Sequence, residues 1–330
     1  MINNIGFLDQ NIEFDIKKYV PNKEIAKEYD YGPFTPDLDA LTTENFEIDL
    51  SEIESIEKTD QLIYCTVNSE EQSGIQFNVL KEGEKEVFLH HDISVLNTVV
   101  DSEYMNINDQ HYIVLASYDT KLEIYDCCTF NPLFPQFLLK GHESSITSCK
   151  SNKKNLYSGD EGGTIIKWDL SKFEIQEKIE GKKNITRMFL ENDILLYSTE
   201  FHLSINNSFQ NIDSIKFHNE IEYFIIKENF IYVSDSIGHF YFYDLRYIDQ
   251  PVSKKRLHLN SLSCFDINRS DMLVTCGLDK KIKQFNLSSL NKVQTVNSDD
   301  MVFSVKFSPF NDNLCFYGGP ENELSNLTLK

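Results

Sequence analysis

Short runs rich in Ile, Val, Phe, Tyr and Thr recur every ~8–12 residues along most of this chain, separated by clusters of Gly, Asn, Asp and Ser. Each run has the length of a strand, and none approaches the ~18 apolar residues of a membrane span. The runs fall into groups of four. The clearest group, residues 141–180, reads "GHESSITSCKSNKKNLYSGDEGGTIIKWDLSKFEIQEKIE". Its strands are "SITSCK", "LYSGD", "TIIKWDL" and "EIQEKIE", with a tight turn at 161–163 between the second and third.

A ~40-residue period with four strands per unit predicts an all-β, seven-bladed β-propeller. The expected units are 97–140, 141–180, 181–219, 220–259, 260–297 and 298–330, preceded by a first blade at 61–96. The whole chain, 1–330, is then a single propeller domain. At the position of Trp168, the only Trp in the chain, three other units carry Tyr125, Tyr243 and Phe285. An aromatic there packs between neighbouring sheets, so its size matters more than its identity. The first blade lacks its opening strand just before Leu62, and residues 3–8 are expected to supply it. Residues 11–60 then form an acidic insertion with a short helix after Pro21. The alternative is a disordered tail over 1–45. The last blade lacks a fourth strand, for which 45–50 ("NFEIDL") is the candidate.

Charge narrows the function. The net charge is -21, and residues 1–60 hold 15 Asp/Glu against 5 Lys. An overall field of this sign repels nucleic acid, so any such contact needs a local basic patch. The seven Cys form no C-x-x-C pair and fall mostly in apolar runs, as reduced buried thiols do. The first residues lack the basic and apolar regions of a secretory signal. P-loop, dinucleotide and nucleophile–base patterns are absent, so no enzymatic activity and no cofactor or small-molecule substrate is expected.

Three stretches resemble the periodic tryptophan protein 1 family, intracellular WD-repeat proteins of eukaryotes. They are "EKEVFLHHDISVL" followed by "YIVLASYDTKLEIYD", "DMLVTCGLDKKIKQFNL" and the C-terminal "MVFSVKFSPFNDNLCFYGGPENELSNLTL". The blade order agrees along nearly the whole chain. This sequence departs from its relatives in shorter charged inserts, fewer tryptophans and a fourth blade that has lost its motif. The resemblance implies a scaffold in large-ribosomal-subunit assembly and pre-rRNA processing, in the nucleus and nucleolus. Pre-ribosomal proteins and pre-rRNA would be its partners, with histone tails as an alternative.

His142, Ser158 and Trp168 resemble the hydrogen-bonded set that ties a WD blade together. The usual Asp of the 161–163 turn is here Gly162, and Asp160 is the candidate replacement. In the sixth blade that Asp is present as Asp279, with no His expected before it. His90, His91 and Asp92 suggest a metal site, but adjacent strand side chains point to opposite faces, which leaves too few ligands. "YDLR" (residues 243–246) matches a motif of cullin-RING ubiquitin ligase substrate receptors, with Arg246 as the contact.

The strand assignment also sorts charges between the two faces of the disc. One face is expected to collect Asp119, Glu143, Asp160, Glu161, Glu200, Glu220, Asp235, Asp299, Asp300 and Glu321. The other is expected to collect Lys153, Lys154, Lys172, Arg246, Lys254, Lys255, Arg269 and Lys292. The acidic face would take a basic protein tail, and the basic face would meet RNA or an acidic partner.

Overall fold

Seven antiparallel sheets follow one another along the chain in the computed structural model, which describes residues 1–9, 17, 19–29, 56–70, 73–207, 210–321 and 323–329. Blade 1 contains β1 (Ile2–Phe7), β2 (Gln61–Asn68), β3 (Ser73–Leu80) and β4 (Phe88–Val95). Blade 2 contains β5 (Val99–Ile107), β6 (Gln110–Ser117), β7 (Lys121–Asp126) and β8 (Phe137–Lys140). Blade 3 contains β9 (Ile146–Ser151), β10 (Asn155–Asp160), β11 (Thr164–Asp169) and β12 (Glu174–Glu180). Blade 4 contains β13 (Arg187–Glu191), β14 (Ile194–Thr199), β15 (His202–Asn207) and β16 (Gln210–Lys216). Blade 5 contains β17 (Ile221–Lys227), β18 (Phe230–Asp235), β19 (His239–Asp244) and β20 (Ser253–Arg256). Blade 6 contains β21 (Cys264–Ile267), β22 (Met272–Gly277), β23 (Lys281–Asn286) and β24 (Lys292–Asn297). Blade 7 contains β25 (Ser304–Phe307), β26 (Leu314–Gly318) and β27 (Ser325–Thr328). Within each blade the strands pair in chain order, so the first strand is innermost. The seven-bladed propeller expected from the ~40-residue period is the observed fold.

The alternating pattern explains why each sheet sandwiches between two others. A strand turns successive side chains to opposite faces, and an interior blade needs both faces apolar. Between blades 2 and 3, Val114, Ile124, Leu139, Ile146, Leu156, Ile166 and Trp168 form one buried cluster. Tyr223, Phe240, Phe265, Leu273, Phe285, Val305 and Cys315 form another across blades 5, 6 and 7. Trp168, Tyr125, Tyr243 and Phe285 are all buried, with 2–5% of their surface exposed. The seven Cys are buried free thiols.

Polar hydrogen bonds join the innermost strands around the central axis. The Asp101 carboxylate of β5 accepts from Asn4 Nδ2 of β1 at 3.0 Å, and from Ser148 Oγ and Lys150 Nζ of β9 at 2.6 and 2.8 Å. Ser148 Oγ in turn accepts from Met188 N of β13 at 3.0 Å. One carboxylate and one hydroxyl thus link four blades. On the far side, Lys306 of β25 donates to the Tyr223 hydroxyl of β17 at 2.7 Å, and the Arg187 guanidinium of β13 lies 4.8 Å from the Tyr223 ring centroid.

The chain's first residues close the ring. β1 pairs with β2, far away in sequence, and Ile2 N donates to Gly319 O of blade 7 at 2.7 Å. In the described part of the N-terminal acidic segment, α1 (Lys23–Ala26) is capped by the Asn22 side chain, which accepts from Glu24 N and Ile25 N. This segment lies against blade 2. Tyr29 packs on Phe134 with ring centroids 5.5 Å apart, its hydroxyl donates to the buried Glu123 at 2.5 Å, and Glu28 pairs with Lys140 at 2.6 Å. The candidate closing strand 45–50 lies outside the described residues, as does most of 11–60.

Candidate interaction surface

In this topology the loops entering each blade and the turns between its second and third strands emerge on one face. The other two sets of turns emerge on the opposite face. On the first face Glu143, Glu161, Glu200, Glu220, Asp299 and Glu321 are exposed, and Asp119 and Asp300 are partly so. Lys280 pairs with Asp300 there at 3.3 Å.

Asp160 and Asp235 are not surface charges, and the expectation for them is corrected. They are 1% and 0% exposed. Each is the last residue of its blade's second strand, and its carboxylate turns inward to hold the blade together. Asp160 Oδ2 accepts from His142 Nδ1 at 2.7 Å, and Oδ1 accepts from Thr164 N at 2.7 Å. Because the carboxylate only accepts, the His142 proton is on Nδ1, and Nε2 accepts from Ser158 Oγ at 2.6 Å. Trp168 Nε1 donates to the same Ser158 Oγ at 2.8 Å. The buried set His142–Asp160–Ser158–Trp168 therefore ties the loop before blade 3 to its second and third strands. Burial holds the His142 ring below its ordinary pKa, against the pull of Asp160.

Blades 5 and 6 carry variants of this anchor. In blade 5, Asp235 Oδ2 accepts from Asn219 Nδ2 at 2.8 Å and from the Tyr241 hydroxyl at 2.9 Å, while Oδ1 accepts from His239 N at 2.8 Å. In blade 6, His258 Nδ1 donates to Asp279 at 2.7 Å, and Nε2 pairs with Thr275 Oγ1 at 2.8 Å. So a His does precede that blade, contrary to the sequence reading. Phe285 keeps the aromatic position but has no N–H to donate, and Lys283, two residues earlier on β23, donates to Asp279 at 3.2 Å and to Leu257 O at 2.7 Å. Leu257, in the place of the glycine of Gly141-His142, hid the motif. Burial is the main reason that the His258 pKa falls to about 4.

The second face is of mixed sign, which corrects the expected basic surface. Lys153, Lys154, Lys172 and Arg269 are exposed in its turns. The same turns expose Asp109, Glu191, Asp193, Glu228, Asp249 and Asp271. Lys254 and Lys255 belong to β20, the outer strand of blade 5, and Lys292 opens β24, the outer strand of blade 6. They line the rim of the disc rather than its face. Lys254 Nζ lies 5.0 Å from the Tyr241 ring centroid, and Lys255 Nζ donates to Leu290 O at 2.7 Å. Arg246 is held in a two-point pair by Asp244, the last residue of β19, at 2.9 and 2.6 Å. That pair keeps the Asp244 carboxyl down at about 2.

The His-His-Asp stretch also departs from the sequence argument. β3 and β4 slip register here: Phe77 faces His91 while Asn78 faces Leu89, which leaves His90 as the extra residue of a bulge. The bulge cancels the strict alternation, and His90 Nδ1 lies 2.9 Å from His91 Nδ1. His91 stacks on Phe77 at 4.4 Å, and its Nε2 donates to Cys127 O of blade 2 at 3.1 Å. Burial first, and His90 second, push the His91 pKa down to about 3. The ring joins blade 1 to blade 2. Among the described residues no group of three or more His, Cys, Asp or Glu could hold a metal ion. No helix there is long and apolar enough to cross a membrane.

A family model described as "WD domain, G-beta repeat" matches residues 134–169. The match runs from β8, the outer strand of blade 2, through the three inner strands of blade 3. Among solved structures the chain is similar to the WD40 domain of Toxoplasma gondii coronin, with a TM-score of 0.67 and 15% identity over 80% of this chain and 77% of that one. It is similar to the WD40 β-propeller domain of Doa1, with a TM-score of 0.68 and 10% identity over 80% of this chain and 88% of that one. It is also similar to a chain of a mitotic checkpoint complex, with a TM-score of 0.62 and 15% identity over 72% of this chain and 76% of that one. At these identities the likeness is one of fold. The chain is a seven-bladed β-propeller with a WD40 repeat at residues 134–169.

Proposed function

We propose that this propeller is a non-catalytic scaffold whose acidic face docks a basic protein segment, and that this docking serves large-ribosomal-subunit assembly in the nucleolus. The observation that carries the docking is the set of exposed carboxylates at Glu143, Glu161, Glu200, Glu220, Asp299 and Glu321 on one face. Opposite charge on a partner speeds encounter with such a surface and suppresses wrong partners. The assignment to ribosome assembly rests on the resemblance of "EVFLHHDI" and the C-terminal blade to the periodic tryptophan protein 1 family. Ribosomal proteins supply basic segments of the required sign. Pre-rRNA then associates through those proteins, because the second face is of mixed sign and the net charge of -21 repels a polyanion.

The test is affinity purification of the wild-type chain beside Glu143→Lys/Glu161→Lys/Glu200→Lys. All three positions are exposed, so the fold should tolerate the change. The wild type should recover basic large-subunit proteins in a salt-sensitive manner, and the variant should lose them. Recovery of histones by the wild type would assign the face to chromatin. Equal recovery by both chains would remove the docking role.

A further inference from the structure

Blade 4 has one apolar face and one that is apolar only on its inner strands. Leu196, Leu203, Ile205 and Ile215 turn toward blade 5 and join its core. On the opposite face two cross-strand rows run over β14, β15 and β16. Tyr197 opposes Ser204, which opposes Ser214, and Thr199 opposes His202, which opposes Lys216. On this side Met188 and Leu195 join Tyr157, Ile165 and Ile185 of the cluster against blade 3, and Leu190 and Tyr197 pack on it, so the apolar contact is confined to the inner strands. An interior propeller blade needs two apolar faces, so the upper, outer part of the gap between blades 3 and 4 cannot close. It remains an open groove of about 260 Å³.

The backbone of blade 3 forms the opposite lip. Gly163 has φ +89°, and a Cβ there would come within 2.6 Å of Lys183 O, so the position demands glycine. Gly181 N donates to Gly163 O at 2.9 Å. This glycine-to-glycine contact holds the loop against the turn and leaves Lys182 and Lys183 exposed at the groove mouth. With Lys280 they are the basic interruptions of the acidic face. Among the described residues the side chains of Lys182, Lys183, His202, Ser204 and Ser214 have no hydrogen-bond or ion-pair partner, and Thr199 Oγ1 is buried without one. Partial burial first, then Lys183 and Lys216, hold the His202 ring below its ordinary pKa.

We infer that the groove between blades 3 and 4 binds a single phosphoryl group carried on a peptide side chain. Two lysines at the mouth, an imidazole and a row of hydroxyls form a donor set suited to a tetrahedral dianion. The surroundings favour a peptide over a nucleic acid. Glu161, Glu180 and Glu200 are exposed around the mouth, so a run of phosphates would be repelled where one is tolerated. The groove shares its rim with Glu161 and Glu200 of the docking face, but its donors are other side chains, so either role can fail alone.

The experiment is an NMR titration of the full chain, following the His202 ring resonances. The probes are N-acetyl-phosphoserine amide, N-acetyl-serine amide and a short single-stranded oligonucleotide. The phosphoserine probe should give a saturable shift and raise the His202 pKa, and the serine probe should give neither. Lys182→Ala/Lys183→Ala should weaken binding at least ~10-fold, while Lys153→Ala/Lys154→Ala on the other face should leave it unchanged. Both pairs are exposed, and equal thermal melts would show intact folds. A response equal for serine and phosphoserine, or one that survives loss of Lys182 and Lys183, overturns the site. Competition by the oligonucleotide overturns its assignment to a peptide.

Discussion

His258 shows how far a single side chain can depart from its sequence context. Its ring is buried, donates to Asp279 and lies near Lys283, and its pKa is about 4 against an ordinary 6.5. The folded chain therefore binds this proton less readily than the unfolded chain. Stability from this residue is complete above about pH 6.5 and declines as pH falls toward 4, by up to roughly 3 kcal/mol. His91 and His142 shift in the same direction. Urea unfolding followed across that window should show a steady loss of stability on acidification, and His258→Gln should flatten the slope. A wild-type profile that is level between pH 6.5 and 4 would contradict the burial argument. None of this was legible in the sequence, because His258 follows Leu257 rather than the glycine of the Gly141-His142 pair, and nothing local marks it as the anchor. The bulge at His90 was hidden for a related reason: one extra residue reverses a facing argument that assumes unbroken alternation.

At the scale of the element, blade 3 is the unit that the sequence displays most openly. Its four strands, its glycine turn and its Trp are all visible as spacing, since each is a local requirement. Spacing gives Asp160 two readings, the acceptor for His142 and a surface charge, and the structure chooses the first. A charged residue beside a turn reads as surface, yet the missing turn carboxylate at Gly162 leaves His142 Nδ1 in need of an acceptor, and Asp160 supplies it. The hydroxyl of Ser158 completes the set. Ser158→Ala would leave the Trp168 N–H and His142 Nε2 buried without partners, at a cost of about 2–4 kcal/mol. Chemical unfolding should show that loss, together with faster hydrogen exchange in β10 and β11. A variant as stable as the wild type would mean that the anchor is dispensable. Blade 4 is the opposite case. Its faded pattern reflects a face toward blade 3 that is apolar only on the inner strands, and the groove beside blade 3 follows from it.

For the molecule as a whole, the ~40-residue period was enough to give seven blades, because every blade must bury the same kind of surface against its neighbours. The charge on the faces was only partly legible. Turn residues could be assigned to a face by strand count, but Lys254, Lys255 and Lys292 fell on outer strands, and carboxylates on the second face offset its lysines. What remains is one acidic face and a disc without a basic one. This asymmetry supports a scaffold that meets proteins directly and RNA through them. The most direct test is sucrose-gradient sedimentation of the tagged wild-type chain and of Glu143→Lys/Glu161→Lys/Glu200→Lys from cells, with fractions probed for pre-rRNA. As a scaffold of large-subunit assembly, the wild type should migrate with large-subunit precursors, and the variant should shift to the light fractions. A wild-type chain found only in light fractions, free of pre-rRNA, would contradict that role.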